Sequence, residues 1–274
     1  MGRDMDITGV LLRRELAFAT ALALHAGKRV LRHRKAPIEV EHKEQGEVVT
    51  AADREANDTI RREILEAFPG DAIYSEETLD SRNRLFHSRV WIVDPIDGTS
   101  DFIAGGDHFS VSIGLALDGR PVLGAIYNPA RDELFAGAVG LGATRNGSPV
   151  VASDAEDLAR ARITVSKKEH AQLSELVPDV ALTPMTSMAY KLARVAAGLD
   201  DGVLSRKRRK EWGACAGAAL VVAAGGRATL LDGSEIRFNR TELKQPLGMV
   251  AAGSRLHSQL VHKVRHLLDV TPGE

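Results

Sequence analysis

A single cysteine, Cys215, occurs in 274 residues, so no intramolecular disulfide staples the chain, and a reducing, cytoplasmic setting is expected. Charge of one sign is also lacking. Thirty-six basic side chains against thirty-seven acidic ones leave a formal net charge of -1, which removes any global pull toward nucleic acid or an anionic membrane. Long hydrophobic runs are absent too. The longest small-and-apolar stretch, Ala214 to Gly226, has 13 residues, short of the roughly 20 needed to span a bilayer. The opening MGRDMDITG lacks a basic region followed by an apolar core, so no secretory signal is expected. Repeats of about 20 to 50 residues and low-complexity tracts are likewise missing. What is present is ordinary for a folded domain: 44% hydrophobic and 27% charged residues, at a length that supports one large domain or two closely packed ones.

Periodicity divides the chain into two parts. From about Thr8 to Arg34, Leu12, Leu16, Ala19, Leu22, Ala23 and Val30 recur at helical spacing, and Pro37 ends the helix. Ile38 to His42 alternates as a strand, and the polar KEQGE after it has the makeup of a mobile loop. A second helix is predicted in DREANDTIRREILEAF, with Ala56, Ile60, Ile64 and Phe68 as its apolar stripe and Asp53 at its cap or first turn. The pattern then changes to period two: VWIVD, FSVSIGLAL and PVLGAIYN read as strands joined by DPIDGT and DGRP, and ELFAGAVGLGATRNGSPV as a hairpin with an Asn146-Gly147 turn. Beyond the polar ASDAEDLAR, the strands RITVS and ATLLD alternate with the helices SMAYKLARVAAG, ACAGAALVVAAG and SRLHSQLVHKVRHLL. An α+β subdomain over 1–154 carrying most of the metal ligands is expected, followed by an α/β subdomain over 155–274 carrying substrate-side residues.

The chemistry concentrates in WIVDPIDGTSDF, Trp91 to Phe102. An apolar strand delivers Asp94 and Asp97 into a turn containing Pro95 and Gly98, so both carboxylates are expected to face one small volume. Two ionised carboxylates a few ångströms apart repel unless a cation lies between them. No Lys or Arg occurs in this segment, which points to a hard divalent ion with oxygen ligands, Mg²⁺ above all. The Ile96 carbonyl is a candidate neutral ligand and Glu76 a further acidic one; Glu77 reads equally as solvated. Gly98, Thr99 and Ser100 would present backbone N–H groups to a phosphate oxygen at a helix start. Asp53, set against the Thr99 hydroxyl, would take a proton from water activated by the cation, giving hydrolysis without a covalent intermediate.

The ordered set VVTAAD (Val48 to Asp53), SEE (Ser75 to Glu77), WIVDPIDGTSDF, GAIYNPARDELFAGAVGLGATRNG, SMAYKLARVAAG, and EWGACAG followed by GGRATLLDG resembles the Mg²⁺-dependent, lithium-sensitive phosphatase superfamily of inositol monophosphatases, fructose 1,6-bisphosphatases and 3′(2′),5′-bisphosphate nucleotidases. The resemblance runs through most of the chain. It implies a layered α/β/α/β/α sandwich, with Glu76, Asp94 and the Ile96 carbonyl on one Mg²⁺ and Asp94 with Asp97 on a second, two or three ions per site in all. It also implies that Asp53 and Thr99 orient the attacking water, that the substrate is a small phosphate ester, and that the partner is a second copy of the chain rather than nucleic acid or membrane. Lys191 and the cations of RKRRK (Arg206 to Lys210) draw the likeness toward the bisphosphate nucleotidase branch, with adenosine 3′,5′-bisphosphate as substrate and inositol 1-phosphate as the alternative. Gly98, Thr99, Ser100, Lys191, Arg208 and Glu211 are then the substrate-side residues.

One position departs from the pattern. The superfamily motif at Trp212 reads Trp-Asp, and that Asp is a ligand of the second metal; here the residue is Gly213. Either Glu211, Asp200 or Asp201 substitutes, or the second ion binds weakly, or the chain is a low-activity homologue that binds metal and phosphate. RKRRK also reads as a solvated loop or a nucleic-acid patch. Cys215 reads as packing, His262 and His266 as surface residues, Ser100 and Asp101 as turn or cap residues, and Gly225-Gly226 as a helix end.

Overall fold

The computed structural model describes residues 12–35, 37–42 and 48–265. KEQGE, His266 and the first-helix residues before Leu12 fall outside the described residues. Helix α1 (Arg13–His33) buries Ala19, Leu22, Ala23, Ala26 and Val30, and α2 (Ala51–Ala67) buries Ala52, Ala56, Ile60 and Ile64. Each set is a helical stripe, which lets the two helices lie side by side on one face of a sheet. A short antiparallel pair, β1 (Val40–His42) with β2 (Val48–Thr50), leads into α2.

That sheet has seven strands in sequence order: β3 (Ala72–Ser75), β4 (Arg89–Asp97), β5 (Ser110–Leu117), β6 (Arg120–Asn128), β7 (Glu133–Ala138), β8 (Gly142–Arg145) and β9 (Ser148–Val150). β3 and β4 run parallel, and every later neighbour is antiparallel. The expected Asn146-Gly147 turn joins β8 to β9, both residues in the left-handed region at φ 49° and 81° as a tight hairpin requires. Between β4 and β5 comes a one-turn helix, α3 (Thr99–Ile103).

The second sheet has five strands in the order β11 (Leu182–Met185), β10 (Ile163–Ser166), β12 (Gly202–Ser205), β14 (Met249–Gly253) and β13 (Gly226–Leu230). Helices α5 (Met188–Ala196) and α6 (Cys215–Ala223) fill the space between the sheets, while α4 (His170–Leu176) and α7 (Ser254–Val264) cover the outer face of the second. The layers therefore run α/β/α/β/α, the sandwich that the sequence implied. We propose the connection 151–162, between the last strand of one sheet and the first of the other, as the subdomain boundary. No helix among the described residues is long and apolar enough to cross a membrane.

β4 is buried on both faces: Trp91 and Val93 pack under α1 and α2, and Ile92 packs toward α5 and α6. Its unbroken apolar run follows from that double burial. Gly114 and Gly124 pair across β5 and β6 directly beneath α6. A Cβ at Gly124 would lie 2.1 Å from the Ala216 carbonyl oxygen, and one at Gly114 would lie 2.8 Å from the Ala216 nitrogen. Only glycine lets the helix backbone come so close to the sheet. This contact brings the start of α6, and with it Trp212 and Gly213, down to the end of β4. Cys215 is buried there as packing, and burial pushes its thiol pKa well up.

Candidate active site

The segment expected to be a turn is strand. β4 continues through Pro95 to Asp97, and its register against β5 shifts between Asp94, which faces Ser112, and Asp97, which faces Ser110. Three steps along β4 thus match two along β5, a β-bulge with one extra residue. In a regular strand, residues three apart point to opposite faces. The extra residue returns Asp97 to the face of Asp94. Both line a cavity of about 480 Å³ together with Glu76, Ile96, Gly98, Thr99 and Ser100. At Gly98 the chain takes φ +97°, and a Cβ would meet the His108 carbonyl oxygen at 2.7 Å, so the exit from the bulge demands glycine.

Asp94 is 3% exposed, and its Oδ1 has no hydrogen-bond partner among the described residues. Burial drives its pKa well up, and the charges of Glu76 and Asp97 add to the rise; Glu76 is close enough for the two carboxyls to share a proton. Asp97 is tied more firmly. Its Oδ2 accepts from the Ser187 hydroxyl and from the Ala189 N–H, both at 2.6 Å, so the carboxylate sits on the N-terminus of α5. Burial still raises its pKa, against those hydrogen bonds and the positive charges of Lys191 and Arg209.

Asp53 lies behind this surface. It is the third residue of α2, and its Oδ2 accepts from the backbone N–H and hydroxyl of Thr50 at 2.8 and 2.7 Å, a capping arrangement. Its Oδ1 lies 3.3 Å from the Thr99 hydroxyl oxygen, which is also 2.9 Å from the Ile96 carbonyl. The hydroxyl has one proton for these two acceptors. Burial raises the Asp53 pKa, and the nearby charge of Glu77 adds to it.

The cavity also has a basic lining. Lys168, Arg208, Arg209, Lys210 and Lys244 line it, as do Trp212, Gly213 and Met188. Glu169, 1% exposed, organises this lining: it accepts from the backbone N–H groups of Arg206 and Lys207 at 2.9 and 2.8 Å and from the Arg209 guanidinium. Arg208 donates from Nε to the Gln245 carbonyl at 2.7 Å, and Lys210 bridges to Lys244 across a short backbone pairing. RKRRK thus turns three of its cations into the acid-lined cavity.

Two expected substrate contacts are corrected. Lys191 is fully buried, with Nζ donating to the Met185 carbonyl at 3.3 Å, and does not line the cavity; burial pushes its pKa down to about 7. It faces inward because α5 presents that side to the core. Glu211 is also fully buried, its carboxylate accepting from the backbone N–H groups of Asn239 and Arg240 at 2.6 and 3.0 Å. Its pKa is raised to about 7 by burial, and its role is to fix the turn carrying Trp212, whose ring stands edge-on to Tyr74 at 5.2 Å.

Nor does any of the three candidates replace a carboxylate at Gly213. Glu211 is engaged as described, Asp200 pairs with Arg194 at 2.6 Å, and Asp201 pairs with Arg162 at 3.1 Å. Sequence reasoning missed Lys168, Lys244 and Ser187. Ser187 carries an N-cap signal, a serine opening an apolar helix, but the carboxylate it holds is remote in sequence. A separate cluster, Asp101, Asp107 and His108, also brings ligand atoms together. Its carboxylates already pair with Lys167 at 2.6 Å and Arg131 at 2.5 Å, which supply the positive charge.

The layered fold, with an acid-lined cavity at the end of a bulged strand, defines a class that comparison with known proteins identifies. The chain matches the inositol monophosphatase family model over residues 11–269. It is 33% identical over 211 residues to inositol monophosphatase 3 of Solanum lycopersicum, covering 72% of this chain and 78% of that one. Its fold superposes on the Thermotoga maritima IMPase TM1415 with a TM-score of 0.83 at 27% identity, over 93% of this chain and 98% of the other. It also superposes on SaIMPase-II with 2′AMP bound, with a TM-score of 0.77 at 25% identity, over 93% and 96%. The chain belongs to the inositol monophosphatase family, Mg²⁺-dependent phosphatases of small phosphate esters.

Proposed function

We propose that this chain is a Mg²⁺-dependent phosphomonoesterase acting on a 3′(2′),5′-bisphosphate nucleotide, converting adenosine 3′,5′-bisphosphate and water to AMP and phosphate. The observation that carries the choice of substrate is that five cations line the same cavity of about 480 Å³ as the acids. The acids account for one cation-bridged phosphate; of the five cations Arg209 is paired with Glu169, and the other four are suited to a second anionic group on the same molecule. Lys210 stands over the Trp212 ring with Nζ 5.0 Å from its centroid, and a backbone bridge sets Lys244 opposite it in the same cavity. A relative of the same fold is recorded with a nucleotide monophosphate bound, which supports a nucleotide in this cavity.

The acidic wall fits a hard divalent ion: its donors are all oxygen, two of its carboxylates have raised pKa values, and Asp94 Oδ1 is buried with no partner. Glu76, Asp94 and the Ile96 carbonyl would hold Mg²⁺, which when bound supplies Lewis-acid stabilisation of phosphoryl charge and acidifies adjacent water. Thr99 would orient the attacking water through its hydroxyl, and Asp53 would fix that hydroxyl and draw its proton as the nucleophile forms. Gly98 and Ser100 shape the floor on which the ester phosphate lies. The basic wall would grip the remote phosphate and so align the scissile P–O bond for in-line attack.

The names of relatives such as inositol monophosphatase 3 favour inositol 1-phosphate as the second reading. A side-by-side phosphate-release assay across a Mg²⁺ titration separates the two. Higher kcat/KM is expected with adenosine 3′,5′-bisphosphate, and Arg208→Ala with Lys244→Ala is expected to raise KM for it about 10-fold or more, leaving inositol 1-phosphate turnover little changed. Preference for inositol 1-phosphate, with no effect of the double substitution, overturns the nucleotide reading.

A further inference from the structure

Building on the proposed cation site, we infer that this chain holds one resident divalent ion, on Glu76, Asp94 and the Ile96 carbonyl, and that Asp97, held by the start of helix α5 and facing Gly213, takes no second ion.

Two observations converge on this. Asp97 is already committed: one oxygen takes two short hydrogen bonds from the start of α5, from Ser187 and Ala189, both at 2.6 Å. A nine-residue helix ending there places its partial positive charge against the carboxylate. One oxygen of Asp97 is thereby held by fixed groups, in contrast to Asp94, whose Oδ1 is buried with no hydrogen-bond partner among the described residues.

Gly213 is the second observation. A Cβ there would stand 3.7 Å from Asp97 Oδ1, 4.0 Å from Asp94 Oδ2 and 3.9 Å from Met188 Cβ. A side chain therefore has room, and it would project between the two carboxylates. Glycine adds no oxygen of its own to that gap, and Glu211, Asp200 and Asp201 are bound elsewhere.

Titration with Mn²⁺, following free ion by electron paramagnetic resonance in the absence of substrate, reads the stoichiometry directly. The unsubstituted protein is expected to bind one ion per chain tightly, and Gly213→Asp to bind two. Asp97→Asn is expected to change affinity for the single ion by less than about 10-fold, yet to remove the second ion in the Gly213→Asp background. Two equivalents of similar affinity in the unsubstituted chain overturn the inference. So does a natively melting Gly213→Asp protein that still binds one, or loss of the single ion in Asp97→Asn. No Mn²⁺ bound at all sinks the proposed function as well, whereas one ion bound with no phosphate release from either substrate sinks the function and leaves the stoichiometry standing.

Discussion

Asp94→Asn is expected to lower Mg²⁺-dependent kcat/KM by about 1000-fold or more, since even an outer partner of a metal ligand is typically worth 10- to 100-fold. The same substitution is expected to stabilise the metal-free protein. Asp94 is buried beside Glu76 and Asp97, and its pKa in the fold is raised well above the usual carboxylate value. A carboxyl with a raised folded pKa binds its proton more tightly folded than unfolded, so its favourable contribution is complete below the unfolded pKa and fades as pH rises through the folded one. Without metal, the melting temperature of Asp94→Asn should therefore match the parent below about pH 4 and exceed it increasingly above. Mg²⁺ should raise the parent's melting temperature more at high pH than at low pH and leave the variant unmoved. Thermal scans with and without Mg²⁺ across the pH range check both signs. A variant less stable than the parent in the absence of metal would mean that Asp94 is held by protein groups and needs no cation.

Thr99→Val is expected to lower kcat by about 100- to 10,000-fold, the range for losing acid–base assistance at a nucleophile, with Mn²⁺ affinity little affected. The side chain keeps its shape and loses the hydroxyl that lies between Asp53 Oδ1 and the Ile96 carbonyl. Thr99→Ser restores the hydroxyl and should recover most of the rate, which packing alone would not do. Asp53→Asn should resemble Thr99→Val in kcat, and its melting temperature reports separately on the capping of α2 through Thr50. Equal loss of Mn²⁺ binding and of kcat in Thr99→Val would show that Thr99 acts on the cation's ligands and not on water.

The helices and strands were legible where one period dominates. The stripe Ala19, Leu22, Ala23 and Val30 gives α1, and Trp91 to Val93 gives a strand buried on both faces. The meeting of Asp94 and Asp97 was legible as a consequence, because two acids in an apolar setting demand one, but its cause was not. A bulge is set by how β4 pairs with β5, and nothing local to DPIDGT distinguishes a bulged strand from a turn. Lys191 and Glu211 were misplaced for a related reason. Both are charged residues in motif segments, and whether a charge faces a cavity or a buried partner depends on helix packing and on a remote loop, here the backbone of Asn239 and Arg240. Lys168 and Lys244 carry no local signal at all. They reach the cavity because the second sheet lays the end of β10 and the loop before β14 over the end of β4. Gly213 was the clearest signal, for a glycine in place of a carboxylate says what is missing, though only the geometry says that the gap is open.

The most direct measurement is anomalous diffraction at the manganese edge from crystals grown with Mn²⁺. A single peak within ligand distance of Glu76, Asp94 and the Ile96 carbonyl is predicted, with none between Asp97 and Gly213. The three acids turned apart with no anomalous density among them would contradict the cation site and the phosphatase chemistry built on it.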